Sequence, residues 1–293
     1  MDVRHLRYFL ALAEELHFGR AAARAHVEQS PLSRTITQLE DELGVVLLNR
    51  SRQGNTLTPA GQALREYAAE ILTSIERARR TVAHIGGLPS LVSIGLADGL
   101  AQPRLSMLFQ RWREAEPLAK LHIRELPAFE QHEALQTERV DIGLTFGMSQ
   151  ISGMVVKPLW SDPIVVVVPR THPLADADVL TLPEVVGHTL VLFHPRAKPG
   201  LRAQLDALLQ GLQPKLAEPA DTPAGMIAKV GAGCGLGFLD ANHGRTLQRD
   251  DVAIVPLAEP KANLTVFAVV KAGREDKVSS FVTRFIALAQ SFA

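Results

Sequence analysis

Residues 18–39, FGRAAARAHVEQSPLSRTITQL, decide the fold of the first part of this chain. They predict two short helices joined by a tight turn at Val27, with small alanines where the two helices approach each other closely. Ser30 followed by Pro31 predicts where the second helix starts, as a hydroxyl N-cap and a proline at the first helical position. This arrangement is the helix-turn-helix plan for reading DNA.

The second helix of this pair is predicted to have one buried face and one DNA-facing face. Leu32, Ile36 and Leu39 fall at i, i+4 and i+7, so they share a face. The other faces carry types that hydrogen-bond to base edges and phosphates. The candidate DNA contacts here are Gln29, Ser30, Pro31, Ser33, Arg34, Thr37 and Gln38. Any amphipathic helix pair also exposes polar residues, so a purely structural pair stays open at this point.

The next segment, residues 44–60, GVVLLNRSRQGNTLTPA, predicts a strand, a polar turn and a second strand. Such a hairpin is the wing of a winged helix-turn-helix domain. Arg50 and Arg52 flank the turn, where guanidinium groups can enter a narrow minor groove. An apolar stripe ahead of the motif predicts the third helix of the domain: Leu6, Phe9, Leu10, Ala13 and Leu16.

Residues 1–85 resemble the N-terminal region of LysR-type transcriptional regulators. The resemblance rests on HLRYFLALAEELHFGRAAARAHV, on QSPLSRTITQLEDELGVVLLNR and on the LTPAG that closes the wing. It implies that Gln29, Pro31, Ser33 and Arg34 face the major groove and that Arg52 faces the minor groove.

Two positions depart from the pattern of that family. The family usually has serine where this chain has Glu28, and proline where it has Ser30. A carboxylate close to DNA phosphates is repulsive. Three roles for Glu28 stay open: capping the helix, tuning specificity, and weakening DNA binding.

Net charge gives no sign of a nucleic-acid partner. The chain has 31 basic and 31 acidic residues, and through Ala60 the count is seven arginines against seven acidic residues. Charge must therefore be sorted by face, and we expect affinity to depend on several copies that bind together. The expected partner is double-stranded promoter or operator DNA.

The heptad spacing of the apolar residues in 61–85 predicts a long amphipathic helix. The helix either packs on its own domain or pairs with a second chain, and three heptads exceed what one small winged domain can cover. Pairing would set two recognition helices about 34 Å, or a multiple of that, apart on DNA. The predicted dimer contacts are Leu64, Ala68, Ile71, Ile75, Ala78, Val82 and Ile85.

The sequence GGLP at residues 86–89 predicts a domain boundary. We expect a winged domain at 1–60, a linker helix at 61–87 and an effector-binding domain at 88–293. After the boundary, short β-branched runs alternate with helical segments, which indicates βαβ units and a parallel sheet. The run PIVVVVP at residues 163–169 predicts a buried central strand or one that crosses between two lobes, with lobe I at about 90–161 and 267–293 and lobe II at about 162–266.

The resemblance to LysR-type regulators extends into this second half, in GLADGLAQPRL, ERVDIGLTF, VVVVPRTHPLA and KVGAGCGLGFL. It implies a two-lobed α/β effector-binding domain that resembles periplasmic solute-binding proteins. It also implies a homotetramer assembled as a dimer of dimers, usually an activator that limits its own expression, with RNA polymerase as a further candidate partner.

Strand ends and the helix starts that follow them predict the lining of an effector cleft. The candidates are Asp98, Gly99, Ala128, Phe129, Thr145, Phe146, His194, Pro195 and Leu201. Asp98 would repel a carboxylate unless it is turned away or paired. Phe129 and Phe146 either stack on a ring or are plain core. These residues favour the hypothesis of a small, partly apolar effector, with an aromatic ring as one option.

Other constellations fail their tests. The glycines of GAGCGLG follow a helix and precede a strand, the reverse of the order that holds a dinucleotide. The ten histidines show no paired metal spacing, the single Cys234 allows no internal disulfide, and no GxSxG motif occurs. We therefore expect no metal, no cofactor and no catalytic residues.

Without a signal segment or a membrane span, the predicted location is cytoplasmic. The alternatives are a cytoplasmic small-molecule-binding protein and an enzyme with an appended DNA-binding domain.

Overall fold

A computed structural model describes residues 1–51, 54–85, 90–100, 103–147, 152–259, 262–272 and 279–292. The chain divides into two compact units, Met1–Gly86 and Gly87–Ala293. In the described ranges, no helix is both long enough and apolar enough to cross a membrane.

The first unit is a winged helix-turn-helix extended by a long helix. Its elements are α1 (Val3–Glu15), α2 (Phe18–Arg24), α3 (Gln29–Leu43), β1 (Leu48–Ser51), β2 (Gly54–Leu57) and α4 (Pro59–Ile85). Asp2 caps α1, because its carboxylate accepts from the backbone N–H groups of Arg4 and His5. Leu6, Phe9 and Ala13 of the predicted stripe are buried in one cluster with the apolar face of α3.

Leu16 departs from that predicted stripe. It lies just beyond α1 in a left-handed conformation with φ 49° and is 38% exposed. The helix ends there, so the helical spacing no longer turns this side chain toward the core. The prediction that Leu16 belongs to the apolar stripe of this helix is wrong.

The second unit is an α/β domain. Its strands are β3 (Ser90–Leu96), β4 (Ala119–Glu125), β5 (Ile142–Thr145), β6 (Met154–Pro169), β7 (Gly237–Asp240), β8 (Val252–Pro256) and β9 (Asn263–Lys271). Its α-helices are α5 (Pro103–Ala115), α6 (Ala128–Gln136), α7 (Leu182–Val186), α8 (Pro199–Leu208), α9 (Pro223–Gly231), α10 (Ala241–Thr246) and α11 (Ser279–Gln290). A short 3₁₀ turn spans Pro173–Asp176.

Two long strands join the lobes of this domain. The strand order is β4-β3-β5-β9-β6-β7, and β8 also pairs with β6. Strands β3, β4 and β5 run parallel, as expected for βαβ units. Strand β6 pairs along β9 from Met154 to Pro163 and then continues between β7 and β8. The apolar run in β6 is therefore a buried strand that passes from one lobe into the other, as the sequence predicts.

The second lobe departs from the expected parallel sheet. Both β7 and β8 are antiparallel to β6, the strand that enters this lobe from the first one. The stretch LVLFH at residues 190–194 is also not a regular strand. It makes isolated parallel bridges instead, from Leu190 to Leu216 and Leu236 and from Phe193 to Ala220.

One hydrophobic cluster runs through both lobes. It contains apolar side chains from β3 and β5 in lobe I together with β6, β7 and β8. Trp112 is buried within it and donates its indole N–H to the Ala119 carbonyl at 2.9 Å. The end of β5 and the start of α8 are therefore set in a common packed core, and these are the segments that border the cleft described below.

Candidate DNA-binding surface and effector cleft

Helix α3 has the two faces that its sequence predicts. Leu32, Ile36 and Leu39 are fully buried against α1 and α2. The small residues Ala21 and Ala22 of α2 are also buried, which lets the two helices of the motif pack closely. The opposite face of α3 stays open to solvent, except that Ser33 is half-buried.

The start of α3 differs from the predicted one. The helix begins at Gln29, with Glu28 in the N-cap position, so Ser30 lies inside the first turn and Pro31 is its third residue. The prediction that Ser30 caps the helix is wrong. Proline is tolerated there because the first-turn N–H groups have no partner within the helix in any case. The Glu28 side chain makes no capping hydrogen bond.

All the predicted contacts on α3 lie on one accessible surface. Gln38 donates to the Glu42 carboxylate at 3.3 Å, along the outer face of the helix. The accessible residues are Gln29, Ser30, Pro31, Arg34, Thr37 and Gln38, with Ser33 half-buried. Their contacts with DNA remain a prediction.

Glu40 is a residue that the sequence analysis missed. Its carboxylate accepts from the backbone N–H groups of Leu47 and Leu48 at 2.8 and 3.3 Å, and it pairs with Arg50 at 3.2 Å. It therefore joins α3 to the first strand of the wing. The sequence shows Glu40 only as one more carboxylate on the side of α3. Its partners lie seven to ten residues further along the chain, so helix spacing does not reveal them.

The wing is present as an antiparallel pair of β1 and β2. Arg50 lies on β1, where its guanidinium stacks 5.2 Å from the centre of the Phe18 ring as well as pairing with Glu40. A DNA phosphate would have to compete with both contacts for this arginine. Arg52 falls outside the described residues.

Helix α4 has a graded exposure along the predicted dimer seam. Ala68 is fully buried and Leu64 half-buried, and both pack on the winged core together with Leu72. Ala68 has no exposed surface left for a second chain, because it is packed in the core cluster that also contains the apolar face of α1. Its prediction as a dimer contact is wrong. Further along, Ile71, Ala78 and Val82 are exposed, Ile75 is half-buried, and the Ile85 side chain is outside the described set.

In the second unit, a cleft of about 1030 Å³ opens beside β5, α6 and α8. Four of the predicted cleft residues line it: Ala128, Phe129, Phe146 and Pro195. Phe129 is 72% exposed, so its ring stands free at the cleft, whereas Phe146 is buried in the wall. The volume matches the upper range of small-molecule sites, and most of the lining is apolar.

Asp98, Gly99 and Leu201 lie behind this wall rather than in it. They border a very small neighbouring cavity that also touches Phe146. Asp98 is buried and accepts a hydrogen bond from the Thr145 hydroxyl at 2.6 Å and a longer one from the Phe146 N–H at 3.4 Å. Burial raises the pKa of the Asp98 carboxyl above its ordinary value, and these hydrogen bonds oppose that rise.

His194 does not line the cleft among the residues that the structure describes. Its ring Nδ1 accepts from the Arg196 N–H at 3.2 Å, and its carbonyl accepts from Ala197 and Lys198. The prediction that His194 lines the cleft is therefore wrong: this residue lies in the turn that leads into α8.

Several lining residues were missed by the sequence analysis, because most of them come from helix faces, from the segment before α8 and from within strands β6 and β9. Gln204 is the clearest. Its amide donates to the carbonyls of Phe146 and Thr265, and its amide oxygen accepts from the Thr265 N–H at 2.8 Å. The other missed lining residues are His132, Gly147, Val156, Arg196, Pro199, Gly200, Ala203, Ala207 and Phe267. Within the described part of the chain, no three His, Cys, Asp or Glu residues group as metal ligands.

These two sites define a class of protein: a winged helix-turn-helix coupled in one chain to a two-lobed α/β ligand-binding domain. The family model for the bacterial regulatory helix-turn-helix protein, lysR family, matches residues 3–62. The model for the LysR substrate binding domain matches residues 86–292. The chain belongs to the LysR family, and it is a DNA-binding transcriptional regulator with an effector-binding domain.

Known relatives agree with this family over nearly the whole length. The HTH-type transcriptional regulator CatR of Pseudomonas putida is 33% identical over 293 residues, which cover 98% of each chain. The HTH-type transcriptional regulator AlsR of Bacillus subtilis is 31% identical over 85% of this chain and 84% of its own. A crystal structure of full-length CbnR complexed with its target DNA has the same fold, with a TM-score of 0.80, 24% identity and full coverage of both chains. These relatives are named regulators, which is consistent with a protein that is not an enzyme.

Proposed function

We propose that this regulator reads promoter DNA with the accessible face of α3 and reports the presence of a small molecule in the cleft beside α8. The observation that carries the first part is the division of α3 into a buried apolar face and an accessible face with Arg34 and its polar neighbours. Arg34 is suited to the major groove, because its planar guanidinium can donate two hydrogen bonds to one guanine.

A gel-shift titration on the DNA upstream of the protein's own gene tests this proposal. We expect wild type to give a sequence-specific shift that survives competitor DNA, and Arg34→Ala to weaken it by about 1–3 kcal/mol. Arg113→Ala is the matched control, because Arg113 is an exposed arginine on α5 in the other unit. Equal binding by the Arg34 and Arg113 variants would contradict readout by α3, and no specific shift by folded wild type would contradict autoregulation at this DNA.

The exposed part of α4 supports assembly through that helix. Ile71 and Val82 are apolar side chains that the first unit leaves exposed, at 37% and 69%. We propose that they pair with a second chain, and that two such dimers form a tetramer on DNA. Pairing would bury this row and bring two α3 helices to one DNA site.

Val82→Glu tests the pairing. We expect it to weaken self-association at least about tenfold, because the interface would have to bury an unpaired carboxylate. Ser74→Glu is the control, since Ser74 is exposed on the same helix but lies off the row. Analytical ultracentrifugation measures both, and equal association constants for the two variants would refute a dimer contact at Val82.

The regulatory cycle follows from these parts. An effector in the cleft changes the angle between the lobes, which changes the spacing of the DNA-binding heads and so couples the two sites. Membership of the LysR family supports activation of a target promoter, contact with RNA polymerase, and action in the cytoplasm. DNase footprints with and without bound effector test the coupling, and footprints that stay identical at saturating effector would contradict it.

A further inference from the structure

The Asp98 carboxylate lies where several hydrogen-bond donors of the protein converge. It follows β3 and is only 2% exposed. Its Oδ2 atom accepts hydrogen bonds from the Thr145 hydroxyl and from the Phe146 backbone. Both donors belong to the end of β5 and its next residue, and Phe146 also lines the cleft.

The start of α8 faces the same carboxylate from the other lobe. This ten-residue helix begins at Pro199 and Gly200, and the backbone amide of Gly200 favours the charged form of Asp98. A Cβ atom added to Gly200 would lie 2.8 Å from the Asp98 Oδ2 atom. The N-terminus of a helix attracts anions because its first N–H groups are unpaired and its dipole is positive there. Here that position is taken by a side chain of the protein.

Lys198 adds a positive charge beside the same position. Its ammonium nitrogen lies 3.0 Å from where a Cβ atom on Gly99 would be, and its charge partly opposes the rise that burial causes in the pKa of Asp98. The glycine therefore leaves room for the lysine side chain. The hydrogen-bond donors that would hold a ligand carboxylate at this point are already directed at Asp98, and the charge of Lys198 already acts on it.

The rest of the cleft offers mainly apolar contacts. The rings of Phe129, Phe146 and Phe267 line it together with aliphatic and proline side chains. Its charged or titratable lining residues are His132 and Arg196, and Arg196 is exposed to solvent, where water screens its charge. A ring that enters beside the phenylalanines would meet apolar surface and, behind the wall, a carboxylate.

We propose that Asp98 determines the effector class: it fills the anion position between β5 and α8, so the cleft accepts an uncharged, ring-containing molecule and rejects its carboxylate counterpart. This inference rests on the proposed function, in which the cleft holds the effector. A ligand carboxylate in the cleft would lie next to the buried Asp98 carboxylate, and such a pair of like charges disfavours binding by enough to lower affinity at least about tenfold.

Benzamide and benzoate are suitable probes, because they share a ring and a planar substituent but differ in charge. Isothermal titration calorimetry of the full chain at pH 8 measures both. We expect wild type to bind benzamide at least about tenfold more tightly than benzoate. In Asp98→Gly, benzoate affinity should rise at least about tenfold while benzamide affinity stays within about threefold. Glycine suits the φ of +58° at this position.

Asp98→Asn provides a second variant, which removes the charge and keeps the shape, and asparagine also tolerates this backbone conformation. It should show an intermediate gain in benzoate affinity, and it decides the matter if the glycine variant does not fold. The proposal is overturned if wild type prefers benzoate, or if neither folded variant gains benzoate binding, whether or not benzamide binds.

Gel shifts with the same preparations separate this inference from the proposed function. If specific DNA retardation persists and no variant gains benzoate binding, only the role of Asp98 is lost. If retardation is absent in wild type while the benzoate gain is observed, the DNA-binding proposal fails and the role of Asp98 stands.

Discussion

Helix α3 and the cleft beside α8 differ in how their candidate functional residues are gathered. On α3 the accessible residues lie within ten positions of one another, from Gln29 to Gln38, and one helical period sorts them from the buried ones. The cleft wall combines residues from Ala128 to Phe267, held together by the packing of two lobes. A surface built by one helix can be derived from local spacing, whereas a concave site depends on which segments the fold brings together.

The largest effect is expected for Ile36→Ala, which tests whether helical spacing alone separates the buried from the accessible face of α3. Ile36 has no exposed surface in the small core of the first unit, so we expect a loss of about 2–5 kcal/mol in the free energy of unfolding. Thr37→Ala, one position along on the accessible face, should change stability by less than about 0.5 kcal/mol. Hydrogen exchange of α3 measures both, and similar losses would show that the two faces are not separated as the periodicity predicts.

Two glycines that meet between the lobes test whether packing of distant segments forms the cleft. A Cβ atom on Gly200 would come within 2.3 Å of the Gly147 carbonyl oxygen, whereas one on Gly147 would find its nearest neighbour at 3.5 Å. We therefore expect Gly200→Ala to cost about 1–3 kcal/mol by overpacking, with Gly147→Ala close to wild type.

Tryptophan fluorescence during urea unfolding reads this effect selectively, because both tryptophans, Trp112 and Trp160, belong to the second unit. Equal midpoints for the two glycine variants would mean that the close approach of α8 to the end of β5 does not hold in solution.

Glu40 is a further test, because its contacts join segments that are separated in sequence even though they lie within the first unit. Replacing Glu40 by glutamine keeps an oxygen acceptor but removes the charge that strengthens the bonds to Leu47, Leu48 and Arg50, for a loss of about 1 kcal/mol. Amide exchange at Leu47 and Leu48 should become faster. Asp41→Asn, an exposed neighbour on α3, is the control, and equal exchange rates in both variants would exclude Glu40 as the link to the wing.

The smallest expected effect is a dependence of stability on pH at Asp98. Since burial raises its pKa in the folded chain above the ordinary 3.8, the folded state binds the proton more tightly than the unfolded state. This contribution is fully present below pH 3.8 and is lost as the pH rises through the raised pKa. Relative to Asp98→Asn, wild type should therefore lose stability as the pH rises across that window.

Tryptophan-monitored unfolding at a series of pH values measures this difference. The charged or titratable groups that face Asp98 are Lys198, whose charge partly opposes the rise in its pKa, and Asp240 and His243, which border the same small cavity. They are present in both chains, so their own titration largely cancels. A difference that stays constant with pH, or that grows in favour of wild type, would contradict a raised pKa at Asp98.

Sequence reasoning was accurate where one period or one turn decides the structure. The faces of α3, the β1–β2 wing and the crossing strand β6 all follow from spacing and composition. It failed at Ser30, where the helix starts earlier than the proline suggests, and at Ala68, where a heptad position is covered by the chain's own α1. The two failures have different causes: proline is compatible with several positions in the first turn of a helix, and a heptad pattern does not reveal which neighbour covers an apolar side chain.

The sequence by itself indicated the family through its resemblance to LysR-type regulators. It also determined the two-part organisation and the residues of α3 that face solvent, because helix periodicity and turn signals act over a few residues. Only the tertiary structure decided that Asp98 is held by Thr145, Phe146 and the start of α8, and that Gln204 closes the wall of the cleft. Such contacts join positions far apart in the chain, and the packing of the lobes fixes them: a side chain's hydrogen-bond partners are set by the fold and not by its neighbours in sequence.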